Sequence, residues 1–390
     1  MANTLKFGSG NWATKEGSTL AYNDENGNFK PLPFDFSRDS SATVVNKYGL
    51  IEVVGNDIPR IDYKDDAKGA LLLEPTRSNY SASSELPSTW TYTEFGSGSA
   101  GTITTGKTDM FGGTNAVQVD FPSDAENVSI LFGSSSSGLT SGDTSVSIYI
   151  KLVESGSKDV QLRCNFTSIV NVNSTEFTRV YLSGTKTSSE AFNLKLRPSA
   201  GTSSGGFSII VCHPQEENGS YATSYIPTQG GAVTRLADEC NGAGNADTFN
   251  DSEGVLYAEI SALADDGTNR WINLGNGTSS ELGVNLRYVP TSNLIVAAFY
   301  NGTSFSCLMS TELNSLTQFN KIAFKYKEND FALWVNGIEL DTDVSGATNA
   351  PLSQLSFDGG TGANDFYGNT KQIQYFNKAL TDAELKTLTS

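Results

Sequence analysis

Apolar and polar positions alternate with a period of two over many short stretches of the chain. Val117, Val119 and Phe121 alternate with Gln118 and Asp120, and Val146, Ile148 and Ile150 alternate with Ser145, Ser147 and Tyr149. Successive side chains of a strand point to opposite faces, so these runs predict strands with one buried face. Further strands are expected at 159–166, 178–182, 192–196 and 207–212, separated by turn clusters such as Ser134-Ser135-Ser136-Ser137-Gly138. Strands at this spacing predict a β-sandwich over residues 79–240. A second series is expected at 254–262, 270–274, 283–288, 294–300, 319–326 and 331–335, giving a second sandwich over 241–390. Within it Asn336-Gly337 separates two alternating runs, a strong short-range signal for a hairpin. Only one helix is well marked: Thr381 followed by Glu384 forms a capping box ahead of Leu385 and Leu388.

Residues 1–78 have another texture. Turn formers fill Asn23-Asp24-Glu25-Asn26-Gly27-Asn28 and Lys30-Pro31-Leu32-Pro33, and the apolar runs are short, as in Leu50-Ile51-Glu52-Val53-Val54 and Ala70-Leu71-Leu72-Leu73. Such a segment has no core of its own and gains its burial from a partner chain or a neighbouring domain. The expected fold is therefore all-β, an extended N-terminal segment followed by two sandwiches. Intertwining with copies of itself would bury the leucine run and make folding and assembly one process.

Composition narrows the function classes. Charged residues are 18% and aromatic residues 10%, with 21 Phe and 15 Tyr, which supplies cores and argues against disorder. The net charge of -17 disfavours a nucleic-acid partner. No apolar run reaches the length of a membrane span, so no membrane insertion is expected. The N-terminus shows no basic region followed by an apolar stretch, so synthesis in a cytoplasm without secretion is expected. Cys164, Cys212, Cys240 and Cys307 show no CxxC pair and are expected as buried free thiols.

The residues needed for catalysis are sparse. His213, the one histidine, sits between Cys212 and Pro214 at the end of an apolar run, where a structural strand-end role is expected. The run Glu339-Leu340-Asp341-Thr342-Asp343 places acids on alternate positions, and a pair of carboxylates is what a glycosidase uses. It follows directly on a turn, where acids commonly face solvent, and no catalytic residue is assigned. No cofactor is expected: Asp265, Asp266 and Asp358 in Asp-Gly turns are read as plain solvated turns, with a calcium site there as the alternative. For glycan recognition the candidates are Trp271, Asn273 and Trp334, an aromatic platform with an adjacent amide. The same two tryptophans could instead pack between sheets or against a neighbouring domain.

Several strings resemble a known family. They are Phe36-Ser37-Arg38-Asp39-Ser40-Ser41-Ala42-Thr43-Val44-Val45-Asn46, Pro59-Arg60-Ile61-Asp62-Tyr63, and Leu71-Leu72-Leu73-Glu74-Pro75-Thr76-Arg77-Ser78-Asn79. Together they resemble a module of tailed-bacteriophage structural proteins of the tail fibre, head fibre or head spike type. Ser224-Tyr225-Ile226-Pro227-Thr228 and Ala232-Val233-Thr234-Arg235-Leu236-Ala237-Asp238 resemble the end of a carbohydrate-binding-like jelly roll. Ser252-Glu253-Gly254-Val255-Leu256-Tyr257, Leu333-Trp334-Val335-Asn336-Gly337 and Phe376-Asn377-Lys378-Ala379-Leu380-Thr381-Asp382-Ala383-Glu384-Leu385 resemble the laminin G-like, concanavalin A-like family. The resemblance implies a virion structural protein, a fibre, spike or capsid decoration protein made in the host bacterial cytoplasm and not an enzyme. It would attach to other virion proteins through residues 1–78, form a homo-oligomer, commonly a trimer, and project its sandwiches toward cell-surface glycans. A dedicated receptor-binding tail fibre is the alternative, and a polysaccharide depolymerase the third reading.

Overall fold

The computed structural model describes residues 4–20, 32–94, 101–123, 128–131, 139, 142–163, 167–186, 195–198 and 206–390. The turn at 23–28, the serine cluster at 134–138 and Cys164 lie outside the described residues.

The chain is all-β, as its period-two pattern predicts. Among the described residues, two five-stranded sheets face each other in the central region. One holds Ala116–Phe121, Phe207–Asn218, Gly142–Leu152 and Thr178–Lys186, with Thr102–Lys107 at its edge. The other is ordered Thr91–Glu94, Val128–Leu131, Lys195–Pro198, Lys158–Arg163 and Thr167–Val172. Val117, Val119, Val146, Ile148, Ile209 and Val211 from the first sheet meet Val160, Leu162 and Val172 from the second in one buried cluster. The alternating apolar residues thus form the inner faces of the sandwich.

A second sandwich follows. One sheet is Phe305–Glu312, Leu294–Tyr300, Gly283–Tyr288, Arg270–Gly275 and Gln354–Ser356. The facing sheet has eight strands among the described residues, and three of them come from the N-terminal segment. Leu5–Gly8 pairs antiparallel with Gly368–Phe376, from Leu5 opposite Tyr375 to Gly8 opposite Gln372. Ala70–Leu73 pairs with the start of the same strand, and Arg60–Asp62 lies beyond it at the sheet edge. Leu5, Phe7, Phe34, Leu71 and Leu73 therefore belong to the core that also holds Leu256, Ile272, Phe324 and Ile373.

Residues 1–78, expected as an extended segment, place three strands in a sheet of the C-terminal sandwich, while Ile51 packs with Met110, Tyr149 and Cys212 of the central one. The physical reason is the one that raised the question: Ala70-Leu71-Leu72-Leu73 needs apolar cover, and the strand Gly368–Phe376 supplies it within the same chain. Self-intertwining is not required to bury these leucines.

The local signals have direct counterparts. Asn336 and Gly337 both adopt positive φ, 49° and 84°, as a type I′ hairpin requires. Thr381 caps the helix Asp382–Thr389, its hydroxyl accepting from the Glu384 N–H while the Glu384 carboxylate accepts from the Thr381 N–H at 2.9 Å. That helix lays Leu385 over Trp334, Val255 and Phe376 on the outer face of the eight-stranded sheet. Cys212, Cys240 and Cys307 are buried free thiols, and burial raises the pKa of each. No described helix is long and apolar enough to cross a membrane.

Candidate functional site

The residues of the family-like strings converge. Arg38, Arg60, Glu74, Arg235 and Asp238, separated by up to 200 positions, are all buried and bonded to one another. The Arg38 guanidinium donates to Asp238 at 2.9 Å and to the Gly55 carbonyl at 2.7 Å. Arg60 bridges both acids, donating to Glu74 at 2.7 Å and to Asp238. Arg235 donates to Glu74 at 2.7 Å and to the Pro75 carbonyl at 2.6 Å. Glu74 further accepts from the Ser224 N–H at 2.7 Å, and Asp238 from the Glu74 N–H at 2.8 Å. The network ties the N-terminal segment to the 224–238 connection between the sandwiches. Burial alone would raise the Glu74 carboxyl, but Arg235, Arg60 and Ser224 outweigh it and hold it well below the usual carboxylate range. A charge buried this deeply is tolerable only when its partners are all in place.

Beside this joint lies a cleft of about 410 Å³, lined by all three parts of the chain. Its central-sandwich wall is the outer face of the strands Gly142–Leu152 and Thr178–Lys186. Register places Ser147 opposite Tyr181 and Tyr149 opposite Arg179, so these four share the face away from Val146, Ile148 and Ile150. The Arg179 guanidinium stacks over the Tyr149 ring, 5.5 Å from its centroid, and donates to the Ser147 hydroxyl at 2.9 Å. Tyr181 is 58% exposed, the accessible aromatic ring of this wall. The C-terminal sandwich adds Thr317, Gln318 and Asn369 to the lining, and the N-terminal segment contributes Asp62, Lys64, Asp65 and Glu74.

Asp62 differs from Glu74 although both line the cleft. Its one hydrogen bond among the described residues comes from the Lys64 N–H at 3.2 Å, and no guanidinium or ammonium is bonded to it. Burial pushes its carboxyl up to about 6, against weaker lowering by Lys64. A half-buried carboxylate with spare acceptor capacity, in a cleft with an exposed ring and amides, has the makings of a polyol-binding surface.

The glycan candidates from the sequence stand elsewhere and apart. Trp271 and Trp334 occupy the outer faces of opposite sheets, because Ile272 and Leu274 on one strand and Leu333 and Val335 on the other fill the core between them. They cannot share a platform. Trp334 lies beneath the C-terminal helix in the buried outer-face cluster. Trp271 is covered by the loop 358–364: a Cβ on Gly359 would stand 2.9 Å from its ring, and one on Gly360 would stand 2.8 Å from the Asn273 amide oxygen. Arg287 stacks on Trp271 at 4.2 Å from the ring centroid, and Asn273 donates to the Leu282 carbonyl and to Asn285 at 3.0 Å. The packing alternative accounts for both tryptophans.

The calcium candidates are likewise dispersed in their bonding. Asp266 pairs with Arg270 at 2.8 Å, and Asp265 accepts from the Ser292 hydroxyl. Asp358 is buried and accepts the N–H groups of Gly360 at 2.6 Å and Gly362 at 2.8 Å, which fixes the loop over Trp271. Among the described residues no group of three or more His, Cys, Asp or Glu side chains is placed to hold a metal ion.

The acid run does not share one face. A bulge in the strand Ile338–Asp343 sets Glu339 opposite Trp334 on the outer side, while Asp341 and Asp343 stand opposite the core-facing Leu333 and Phe331. His213 is structural, but within a strand rather than at its end. It sits in a bulge of Phe207–Asn218 with φ of 55°, where the register against Gly142–Leu152 shifts. Its Nδ1–H donates to Glu85 at 2.7 Å, and Glu85 also accepts from the Tyr225 hydroxyl and from Asn115 at 3.0 Å. The imidazole is fully buried, so no substrate reaches it.

Sequence reading missed Asp62, Tyr149, Arg179 and Tyr181 as a group. Tyr149 and Tyr181 did carry a signal, large rings at outer-face positions of alternating strands, but nothing local says that these faces meet the N-terminal segment.

The chain matches no protein-family model and no curated protein. Solved structures similar in part include the CBM40 of the Ruminococcus gnavus IT-sialidase bound to α2,3-sialyllactose, at 17% identity and a TM-score of 0.32, covering 38% of this chain and 94% of that one. The binding domain of botulinum neurotoxin DC in complex with rat synaptotagmin II is similar at 13% identity and a TM-score of 0.32, covering 39% and 40%. A leech intramolecular trans-sialidase is similar at 20% identity and a TM-score of 0.29, covering 38% of this chain and 26% of that one. Likenesses of this degree carry nothing about ligand or activity.

Proposed function

We propose that this chain is a non-enzymatic structural protein of a bacteriophage virion, a fibre, spike or decoration protein whose β-sandwiches adhere to glycans. One observation carries the reading. The strings at 36–46, 59–63, 71–79 and 224–238, each resembling parts of phage fibre and spike proteins, meet in a single buried ionic joint through Arg38, Arg60, Glu74, Arg235 and Asp238. Their charged side chains are spent on holding modules together, a mechanical task that suits a particle component. The cleft beside the joint offers a ring, amides and a carboxylate for sugar hydroxyls, and many copies on one particle would multiply weak single-site binding. Attachment to other virion proteins and a trimeric state belong to the same proposal. Mass spectrometry and antibody labelling of purified virions test it: the chain is expected at the particle surface, and its absence from the particle overturns the reading.

A further inference from the structure

We propose that the cleft at the three-way junction is the glycan site, and that it takes neutral rather than acidic sugars. The inference rests on the adhesion reading above and specifies its chemistry. Asp62, Asp65 and Glu74 bring three carboxylates to the cleft, against Lys64 and Arg179. Glu74 is neutralised by Arg60 and Arg235, but among the described residues no guanidinium or ammonium is bonded to Asp62. The Arg179 guanidinium lies on the Tyr149 ring and gives N–H groups to Ser147 and the Thr223 carbonyl, so part of its donor capacity is already committed within the protein. A sialic or uronic acid would meet Asp62 and Asp65 in a chain already carrying a net charge of -17. A neutral pyranose would lay its C–H face on Tyr181, give hydroxyl protons to Asp62, and exchange hydrogen bonds with Gln318 and Asn369 in the cleft.

The site also has an assembly requirement. Its walls come from three separate parts of the chain, and Glu74 and Ser224 belong at once to the cleft lining and to the ionic joint. The joint therefore holds together the parts that line the cleft, and the buried charges that give no ligand contact act as positioning groups. An ionised Asp62 left unpaired in a folded protein is a local cost to stability, a pattern expected where a group is held for binding.

The full chain is tested against immobilised mannan, dextran and galactan as neutral probes, and against polygalacturonate and sialyllactose as acidic ones. The expected result is binding to at least one neutral probe, weakened about tenfold by Asp62→Asn and by Tyr181→Ala, with Tyr181→Phe retaining most of it. Melting curves of each variant confirm folding. Binding of acidic probes alone overturns the inference while leaving adhesion standing. Neutral binding unchanged in both variants places the site elsewhere and likewise overturns it. No binding to any probe overturns this inference and removes the support for adhesion as well.

Discussion

Asp62 ends the first strand of a hairpin and Glu74 follows its second strand; both line the same cleft, yet their surroundings treat them oppositely. Glu74 accepts from two guanidinium groups and from Ser224, and stays ionised far into acid. Asp62 has a backbone N–H and little else, and burial raises its carboxyl to about 6. The two acids occupy one type of environment, half or fully removed from water; what separates them is whether cations were brought in with them. A paired carboxylate is structure, and an unpaired one beside it is free to act on something from outside.

The largest effect that would test this contrast is loss of the joint. Glu74→Ala leaves Arg60 and Arg235 buried without their shared acid, and a destabilisation of ~3–5 kcal/mol is expected in urea unfolding. A loss below about 1 kcal/mol would mean that the joint is looser than its geometry. Asp62→Asn should do the reverse. Its carboxyl is raised to about 6 from the ordinary 3.8, so the variant should gain ~3 kcal/mol at pH 7.5, measured the same way.

The pH dependence separates the two residues by sign. Glu74 has a lowered folded pKa, so its contribution is complete above about pH 4.5 and is lost as acid protonates it below that value. Asp62 has a raised folded pKa, so its contribution is complete below about pH 3.8 and is lost as pH rises through about 6. The stability difference between Asp62→Asn and the wild-type chain should accordingly grow between pH 4 and pH 6 and then level off. A difference independent of pH would show that Asp62 is not held against its ionisation. The smallest effect is expected at Tyr181→Ala, within about 0.5 kcal/mol of the parent, because the ring is 58% exposed. A larger loss would make Tyr181 a packing residue and weaken the case for the cleft.

Much of the fold was legible in short windows of sequence. The strand at 116–121, the Asn336-Gly337 turn and the Thr381–Glu384 capping box each depend on period, turn chemistry or local hydrogen bonding, and each is found where those rules place it. The family-like strings were legible as words, and their charged residues proved to be one physical object. The candidate site was legible only in its residue types. Trp271 and Trp334 were chosen for lying on the less apolar faces of their strands, and both do lie there, but a glycine-rich loop and a helix cover those faces. The alternation of acids at 339–343 was real in sequence and was broken in space by one bulge.

By itself the sequence determined the all-β class, the two sandwiches, the turns and the caps, because these follow from neighbours within a few residues. Only the tertiary structure decided where residues 1–78 go, which faces are covered, and which carboxylate finds an arginine. Those outcomes depend on pairings such as Leu5 with Tyr375 and Arg38 with Asp238, across most or half of the chain. No local pattern encodes them: burial and charge pairing are settled between surfaces, and the surfaces exist only after the strands have formed.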